Sequence, residues 1–432
     1  MSGFSWWGGP SSQSEPLPEF ERIRDPDDDF LERNASYQTQ LSGFYSMSQA
    51  PYARTEQRSL TERPDPSLGF GIEIEAIVKP RGPFNGQTPW EALAMRMKQY
   101  YKLDVTWYKP EVKGTWKNTR YDAWHVTYDS SLELETPDEV SLEVVAPKLQ
   151  AGGRWEGQIE LVWKAIRDLF RVKKHAISCG SHVHVAPVSR VFTLDELKLV
   201  AMFTIIHEDS ILKILHTTRQ NHKYCERNTK IGGTGLWDDF GEVNHSRYKS
   251  AWRGNGLKKC QQAIAKITTK SDLVAYVQGT ERRVLWNFRN ILPGGSGTVE
   301  FRGGRHLRGP KRTISWATFT IVFIDLALRS VSHPISFLRT LELTHEKACL
   351  NPGRYDLQYV EPHLIAHDEA THTLWKELRT LCDFQAMTNN LPEKVTDMSE
   401  VRRNAAPCDR FKYSGELVSE EGYASDGAVS LY

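Results

Sequence analysis

The chain reads as an α+β protein built on a curved, largely antiparallel sheet with helices packed on its outer side. Three observations predict this. Short segments alternate apolar and polar residues with the two-residue period of a strand. Amphipathic helical segments separate them at irregular intervals, and no internal repeat imposes a regular alternation. Four strand segments carry metal-type ligands: Gly71-Ile72-Glu73-Ile74-Glu75, Ser141-Leu142-Glu143-Val144-Val145, Gly180-Ser181-His182-Val183-His184-Val185 and Thr298-Val299-Glu300-Phe301-Arg302. Successive strand side chains point to opposite faces, so Glu73 shares a face with Glu75, His182 with His184 and Glu300 with Arg302. The residues between them, Ile74, Val183 and Phe301, suit a buried face.

Taken in order, residues 1–66 are rich in Ser, Pro, Asp, Glu and Arg and predict a polar, disordered N-terminal tail. A catalytic-sized domain is expected over 67–388, followed by a polar C-terminal tail over 389–432. Within the domain a strand is expected over 69–78. A helix comes next over 90–101, where Leu93, Met97 and Tyr100 recur at helical spacing. Strands are expected over 124–128 and 140–145. An amphipathic helix is expected over 155–170, carrying Ile159, Val162, Ile166 and Leu169. The strand over 179–185 leads to a long helix over 194–216, with Thr193 as N-cap and Glu196 completing a capping box. The last strand, 298–302, comes after the loop Pro293-Gly294-Gly295-Ser296-Gly297 and precedes a helix over 314–330.

The bulk properties narrow the function classes. The chain has 432 residues with a formal net charge of +1, so no global field favours nucleic acid or an anionic membrane. Thirteen Trp and seventeen Phe supply a sizeable core, although apolar content is only 39% because the ends are polar. The six cysteines (Cys179, Cys225, Cys260, Cys349, Cys382 and Cys408) form no CxxC pair, which removes a zinc ribbon and suits a reducing compartment. The first residues lack a basic and apolar leader pattern, and the apolar run 316–328 is short and interrupted by Thr318, Thr320 and Asp325. A cytoplasmic protein that neither spans a membrane nor binds nucleic acid is expected. Nothing in the sequence shows a self-complementary surface.

Each candidate ligand has a bland alternative. A lone Glu-x-Glu is ordinarily a solvated strand face, but Glu73 and Glu75 have three further strands offering compatible ligands. Carboxylates of like sign held side by side call for a divalent cation, and oxygen ligands suit Mg²⁺. His182-x-His184 suits zinc, and with several Glu nearby it equally suits a mixed oxygen–nitrogen Mg²⁺ or Mn²⁺ site. Glu300 offers another cation ligand, and Arg302 a planar two-pronged contact for phosphate or carboxylate; alone, the two make an ordinary ion pair. Arg219, in Arg219-Gln220-Asn221-His222-Lys223-Tyr224-Cys225, is either an anion contact or part of a solvated loop, and Arg283, Asn287 and Arg289 form a second such set. Asp129 is either a turn residue or a holder of a substrate ammonium. Loops 230–235 and 293–297 are candidates to close over the site.

The ordered set Gly-x-Glu-x-Glu, Asp-x-Ser, Glu-Val-Val-Ala-Pro, Cys-Gly-Ser-His-Val-His-Val, Arg-x-Asn-x-x-Tyr-Cys and Val-Glu-Phe-Arg resembles the amidoligase family over about residues 69–329. Its members are frequent in fungi and are distant relatives of glutamine synthetase and γ-glutamylcysteine synthetase. The resemblance implies a glutamine-synthetase-like fold and ATP-dependent joining of a carboxylate to an amine through an acyl phosphate. Substrates would be amino acids, peptides or small carboxylates, with ATP and Mg²⁺ (or Mn²⁺) as cofactors. It implies Glu73, Glu75, Glu143, His182 and Glu300 as metal residues, His184 as nucleotide-facing and Arg302 as phosphate-facing. From the loop readings, Arg289 and Asn287 are expected beside the nucleotide, and Arg219 and Asp129 join Arg302 as expected catalytic groups. The chain departs from the family's usual pattern at Ala146, where Ser is common, and in the basic stretch Gly303-Gly304-Arg305-His306-Leu307-Arg308. A zinc hydrolase using His182, His184 and a Glu, and an inactive nucleotide- or metabolite-binding protein, are the competing expectations.

Overall fold

The strand Leu68–Pro80 (β1) organises the molecule. In the computed structural model, which describes residues 68–113, 121–220, 222–240, 249–329, 362–384, 387 and 389–393, it is the longest strand and pairs on both sides. The expected N-terminal tail, Asn221, Ser330 and residues 394–432 lie outside the described residues. Residues 389–393, where the C-terminal tail was expected to begin, pack on the domain. Leu391 is buried, and the Asn390 Nδ2 donates to Glu156 Oε1 at 3.0 Å.

After β1 come α1 (Pro89–Tyr101), β2 (Val105–Trp107), β3 (Trp124–Thr127), β4 (Val140–Val145) and β5 (Leu149–Gln150). The chain continues through α2 (Trp155–Leu169), β6 (Phe170–Val172), β7 (Gly180–Pro187), α3 (Leu194–Ile206) and α4 (Glu208–Ile214). The remaining elements are α5 (Gly235–Phe240), α6 (Lys249–Lys266), α7 (Lys270–Val277), β8 (Trp286–Asn287), β9 (Val299–Arg305), α8 (Pro310–Arg329) and α9 (Pro362–Phe384). The architecture is mixed α+β. The described strands form one open sheet in the order β2-β3-β4-β1-β7-β9-β8, with β5 and β6 added along β1. Pairing is antiparallel except between β2 and β3.

One face of this sheet is apolar. Ile72, Ile74, Ala76, Val144, Val183, Val185 and Phe301 are all buried on it, as strand alternation requires. The helices α2 and α8 cover that face. Trp155 of α2 meets Phe70 edge-on at 4.9 Å, while Trp316 and Phe319 of α8 lie 5.7 and 5.5 Å from Phe301. α8 is buried nearly all the way round, which suits a helix at the centre of the core. Among the described residues no helix is long and apolar enough to cross a membrane.

Two elements differ from the sequence expectation. The helix expected over 194–216 is two helices, broken at His207, which takes φ −92° and ψ 6°. The His207 ring packs 4.4 Å from Phe203 and 6.1 Å from Phe323, and this tertiary contact prevails over a continuous apolar periodicity. The capping box that starts α3 forms as its Thr-x-x-Glu spacing requires. The final strand runs on to Arg305, because a bulge between the Val183–Phe301 and Ser181–Gly304 pairs admits Gly303. A Cβ at Gly304 would collide with Ser181, and one at Gly303 with the Phe301 ring and Leu285, so this bulge needs its glycines.

Candidate active site

The opposite face of the sheet gathers the charged residues. Register fixes their rows. Glu75 lies directly across from Glu143 on β4, Glu73 across from His182 on β7, and His184 across from Glu300 on β9. Each of these six, with Arg302, is at most 6% exposed. The small apolar cluster Ile77–Leu132–Cys179 lies on the same face beyond Glu75.

Glu73 is the hub. His182 Nδ1 lies 2.7 Å from its Oε2, and His184 Nε2 lies 3.2 Å from its Oε1. His182 also stands 3.5 Å from Glu75 and 3.7 Å from Glu300. Glu73, His184 and Glu300 each offer a ligand atom, all within 4.8 Å of one another. These two carboxylates and one imidazole, beside the facing Glu75–Glu143 pair, form a donor set suited to a hard divalent cation.

Glu300 is held on every side. Arg302 Nη1 donates to its Oε1 at 2.6 Å, while Asn287 Nδ2 and Asn290 Nδ2 donate to its Oε2 at 2.8 and 3.3 Å. Asn287 is itself fixed, because its Oδ1 accepts from Gln278 Nε2 at 2.8 Å and from the Arg289 amide at 2.9 Å. Arg302 is tied down by its Nε, which donates to the Tyr224 carbonyl at 3.3 Å, and by its own carbonyl, which accepts from Arg219 Nη2 at 2.8 Å. Arg219 is fully buried, packs against Gly180, and donates Nη1 to His222 Nδ1 at 3.2 Å. Burial, Arg219 and Lys223 push the His222 pKa down to about 4, so its ring is neutral and can accept that bond.

The carboxylates perturb one another. Burial pushes the Glu75 carboxyl above its ordinary range and Asp129 adds to the push, while His182, the Gly180 amide and Arg219 oppose it. For His182, burial and the Arg302 charge favour the neutral ring, but Glu75 and Glu73 outweigh them and carry its pKa up to about 9. Without a metal, the imidazolium of His182 is therefore one of the cations that hold these carboxylates together.

A family model described as "Putative amidoligase enzyme" matches residues 66–303. The chain belongs to the amidoligase family. Its matched segment runs from the start of β1 through the Glu300–Arg302 pair, so it contains every carboxylate of the site. Membership in this family points to an amide-bond-forming ligase. Among curated proteins, none matches the sequence significantly.

Two residues expected at this amidoligase site take a peripheral place. Asp129 builds its own turn, accepting from the Ser131 amide at 2.7 Å and the Ser131 hydroxyl at 2.8 Å, yet its charge reaches Glu75. The Arg289 guanidinium is half-exposed and donates to the Thr280 carbonyl. Three further site residues come from turns or a neighbouring strand. Asn290 reaches both Glu300 and His184, and Thr298 Oγ1 lies 3.2 Å from His184 Nδ1. His125 lies on the same face, in the row of Val145 and Glu73, and its Nδ1 is 2.8 Å from Thr106 Oγ1. The spacing of Asn287 and Asn290 before the last strand was the available signal for Asn290.

Proposed function

We propose that the chain is an ATP- and Mg²⁺-dependent carboxylate–amine ligase working through an acyl phosphate. One observation carries this reading: four carboxylates from three strands, two imidazoles and one pinned guanidinium share a single buried sheet face. The open sheet, with α2 and α8 on the face opposite the carboxylates, supports a glutamine-synthetase-like arrangement. Four buried free thiols suit a cytoplasmic protein.

A carboxylate is a poor electrophile. Transfer of the γ-phosphoryl group from ATP to a substrate carboxylate oxygen releases ADP and makes an acyl phosphate. The amine nitrogen then attacks the carbonyl carbon, the C–N bond forms, the C–O bond to phosphate breaks, and the amine loses a proton. Mg²⁺ held by Glu73, His184 and Glu300, with Glu75, Glu143 and His182 beside them, would neutralise charge on the transferring group. Arg302 contacts the phosphoryl oxygens with the arm that Glu300 and Tyr224 hold in place. Asn287 and Asn290 orient Glu300, and Arg219 orients the Arg302 backbone, so these three are positioning residues. Asp129 takes the substrate ammonium beside Glu75. His184 and, at the rim, Arg289 stand on the nucleotide side.

Exclusion of water protects the acyl phosphate. The loop 293–297 is pinned by the Gly297 amide on the Asn290 carbonyl at 2.7 Å and has Ser296 buried. The more exposed loop 230–235 is therefore the segment that closes. Nucleotide should protect it from protease, and equal cleavage with and without nucleotide would remove it as a lid.

The test of the function is ADP and phosphate release from purified protein with Mg²⁺, ATP and pooled amines and carboxylates. Release that needs both substrates and yields an amide by mass spectrometry supports the ligase. Hydrolysis of amides without ATP, with tightly held zinc, would replace it with the hydrolase.

A further inference from the structure

We infer that the turn joining β9 to α8 is an oxyanion site that takes a phosphate or carboxylate group between His306, Arg308 and Arg312. The site lies past residue 303, beyond the segment matched by the amidoligase family, and stands whether or not the carboxylate face serves a ligase.

Two independent observations carry it. First, His306 is 3% exposed, and neither ring nitrogen has a hydrogen-bond partner among the described residues. A buried imidazole with both nitrogens unsatisfied is costly. The largest charge effects on it come from Arg308, Arg305, Arg312 and His175, all of one sign. Second, Arg312 is half-buried, and its Nη1 also has no partner. The charges that act on it are Arg308 and Arg305. Burial and these two neighbours push its pKa down to about 9, with no carboxylate to offset them. Desolvated guanidinium groups ordinarily meet a carboxylate or phosphate with their planar fork.

The surroundings are built rather than loose. Trp163 of α2 donates Nε1 to Thr313 Oγ1 at 2.8 Å, and Arg167 donates Nη2 to the Arg308 carbonyl at 2.9 Å. Arg167 presses on Gly309 where any side chain would stand. The turn is thus anchored to the core with Arg308 and Arg312 still partly open to solvent. Arg312 is the third residue of a 20-residue helix that begins at Pro310, so the positive end of the helix dipole falls at the same place. An entering oxyanion would give His306 an acceptor and Arg312 a counter-charge.

The experiment is thermal unfolding of the full chain in sodium chloride, inorganic phosphate or succinate at matched ionic strength. At ten times its Kd an anion should raise the wild-type Tm by about 2–4 °C over chloride. That rise should vanish in Arg312→Gln, shrink in His306→Gln, weaken in Arg312→Lys and persist in Arg302→Gln. A rise with phosphate alone makes the site a phosphate site, and one with succinate alone a carboxylate site. No rise in wild type, an equal rise in Arg312→Gln, or a rise lost only in Arg302→Gln would overturn the inference. If Arg312→Gln does not fold, the Arg312→Lys and His306→Gln shifts decide it by the same comparison.

Discussion

Strand β9 ends in two electrostatic environments of opposite kind. On the near side of the Gly303 bulge, Glu300 and Arg302 face a carboxylate cluster in which Glu73, Glu75 and Glu300 each meet a basic side chain at 2.6–4.0 Å. On the far side, Arg305, His306, Arg308 and Arg312 crowd together, and the groups acting on His306 and Arg312 share one sign. The bulge makes the change possible, because it shifts the register by one residue and re-aims the side chains beyond it. The contrast teaches that burial alone does not mark a site. The acidic half is largely satisfied within the protein by Arg302 and the His182 imidazolium. In the basic half the His306 ring and Arg312 Nη1 have no hydrogen-bond partner among the described residues, and the inferred anion would supply one.

The sharpest way to break this contrast is Glu73→Gln. It keeps the shape but removes the hub charge, so ligase turnover should fall by at least ~10³-fold, the upper range for loss of one preorganised electrostatic group. Its circular dichroism should stay near wild type while its Tm falls moderately, because His182 loses one of its counter-charges; broad unfolding would make Glu73 structural instead. Phe301→Ala, one residue from Glu300 on the other face, should cost about 3–5 kcal/mol by urea denaturation, because it empties the space under Trp316 and Phe319. Arg302→Lys should lower kcat by about 10²-fold with the fold retained, since Lys lacks the planar fork. Wild-type kcat in Arg302→Lys would remove that residue from the chemistry.

A smaller effect comes from His182. Its folded pKa of about 9 lies above the ordinary 6.5, so the imidazolium contributes stability in full below pH 6.5 and loses it as pH rises through about 9. Protein stripped of metal with a chelator should therefore lose Tm between pH 6.5 and 9, and Mg²⁺ should blunt the slope. A flat profile in the stripped protein would contradict the charge balance described. Arg289→Ala should matter least, raising KM for ATP by no more than about tenfold, in keeping with an exposed ionic contact.

Much of the geometry was legible because strands have a period of two. Knowing that Glu73, Glu75, Glu143, His182, His184, Glu300 and Arg302 sit on strands fixes their parity, and Ile74, Val183 and Phe301 fix which face is core. The strand order β4-β1-β7-β9, which brings those faces side by side, is a long-range property that no local pattern encodes. Thr298 was not legible as a site residue, and Asn290 only through its spacing from Asn287, because turns have no period. Strands as short as β5 and β8, two residues each, also fall below any periodic signal. The break at His207 was hidden for the opposite reason: apolar residues continue at helical spacing on both sides, and only the packing with Phe203 and Phe323 interrupts them.

The most direct measurement is Mn²⁺ binding followed by electron paramagnetic resonance in wild type, Glu73→Gln and Arg312→Gln. The account predicts one saturable site in wild type, lost in Glu73→Gln and unchanged in Arg312→Gln. Equal Mn²⁺ binding in wild type and Glu73→Gln would contradict it, because the carboxylate face would then not be where the metal goes.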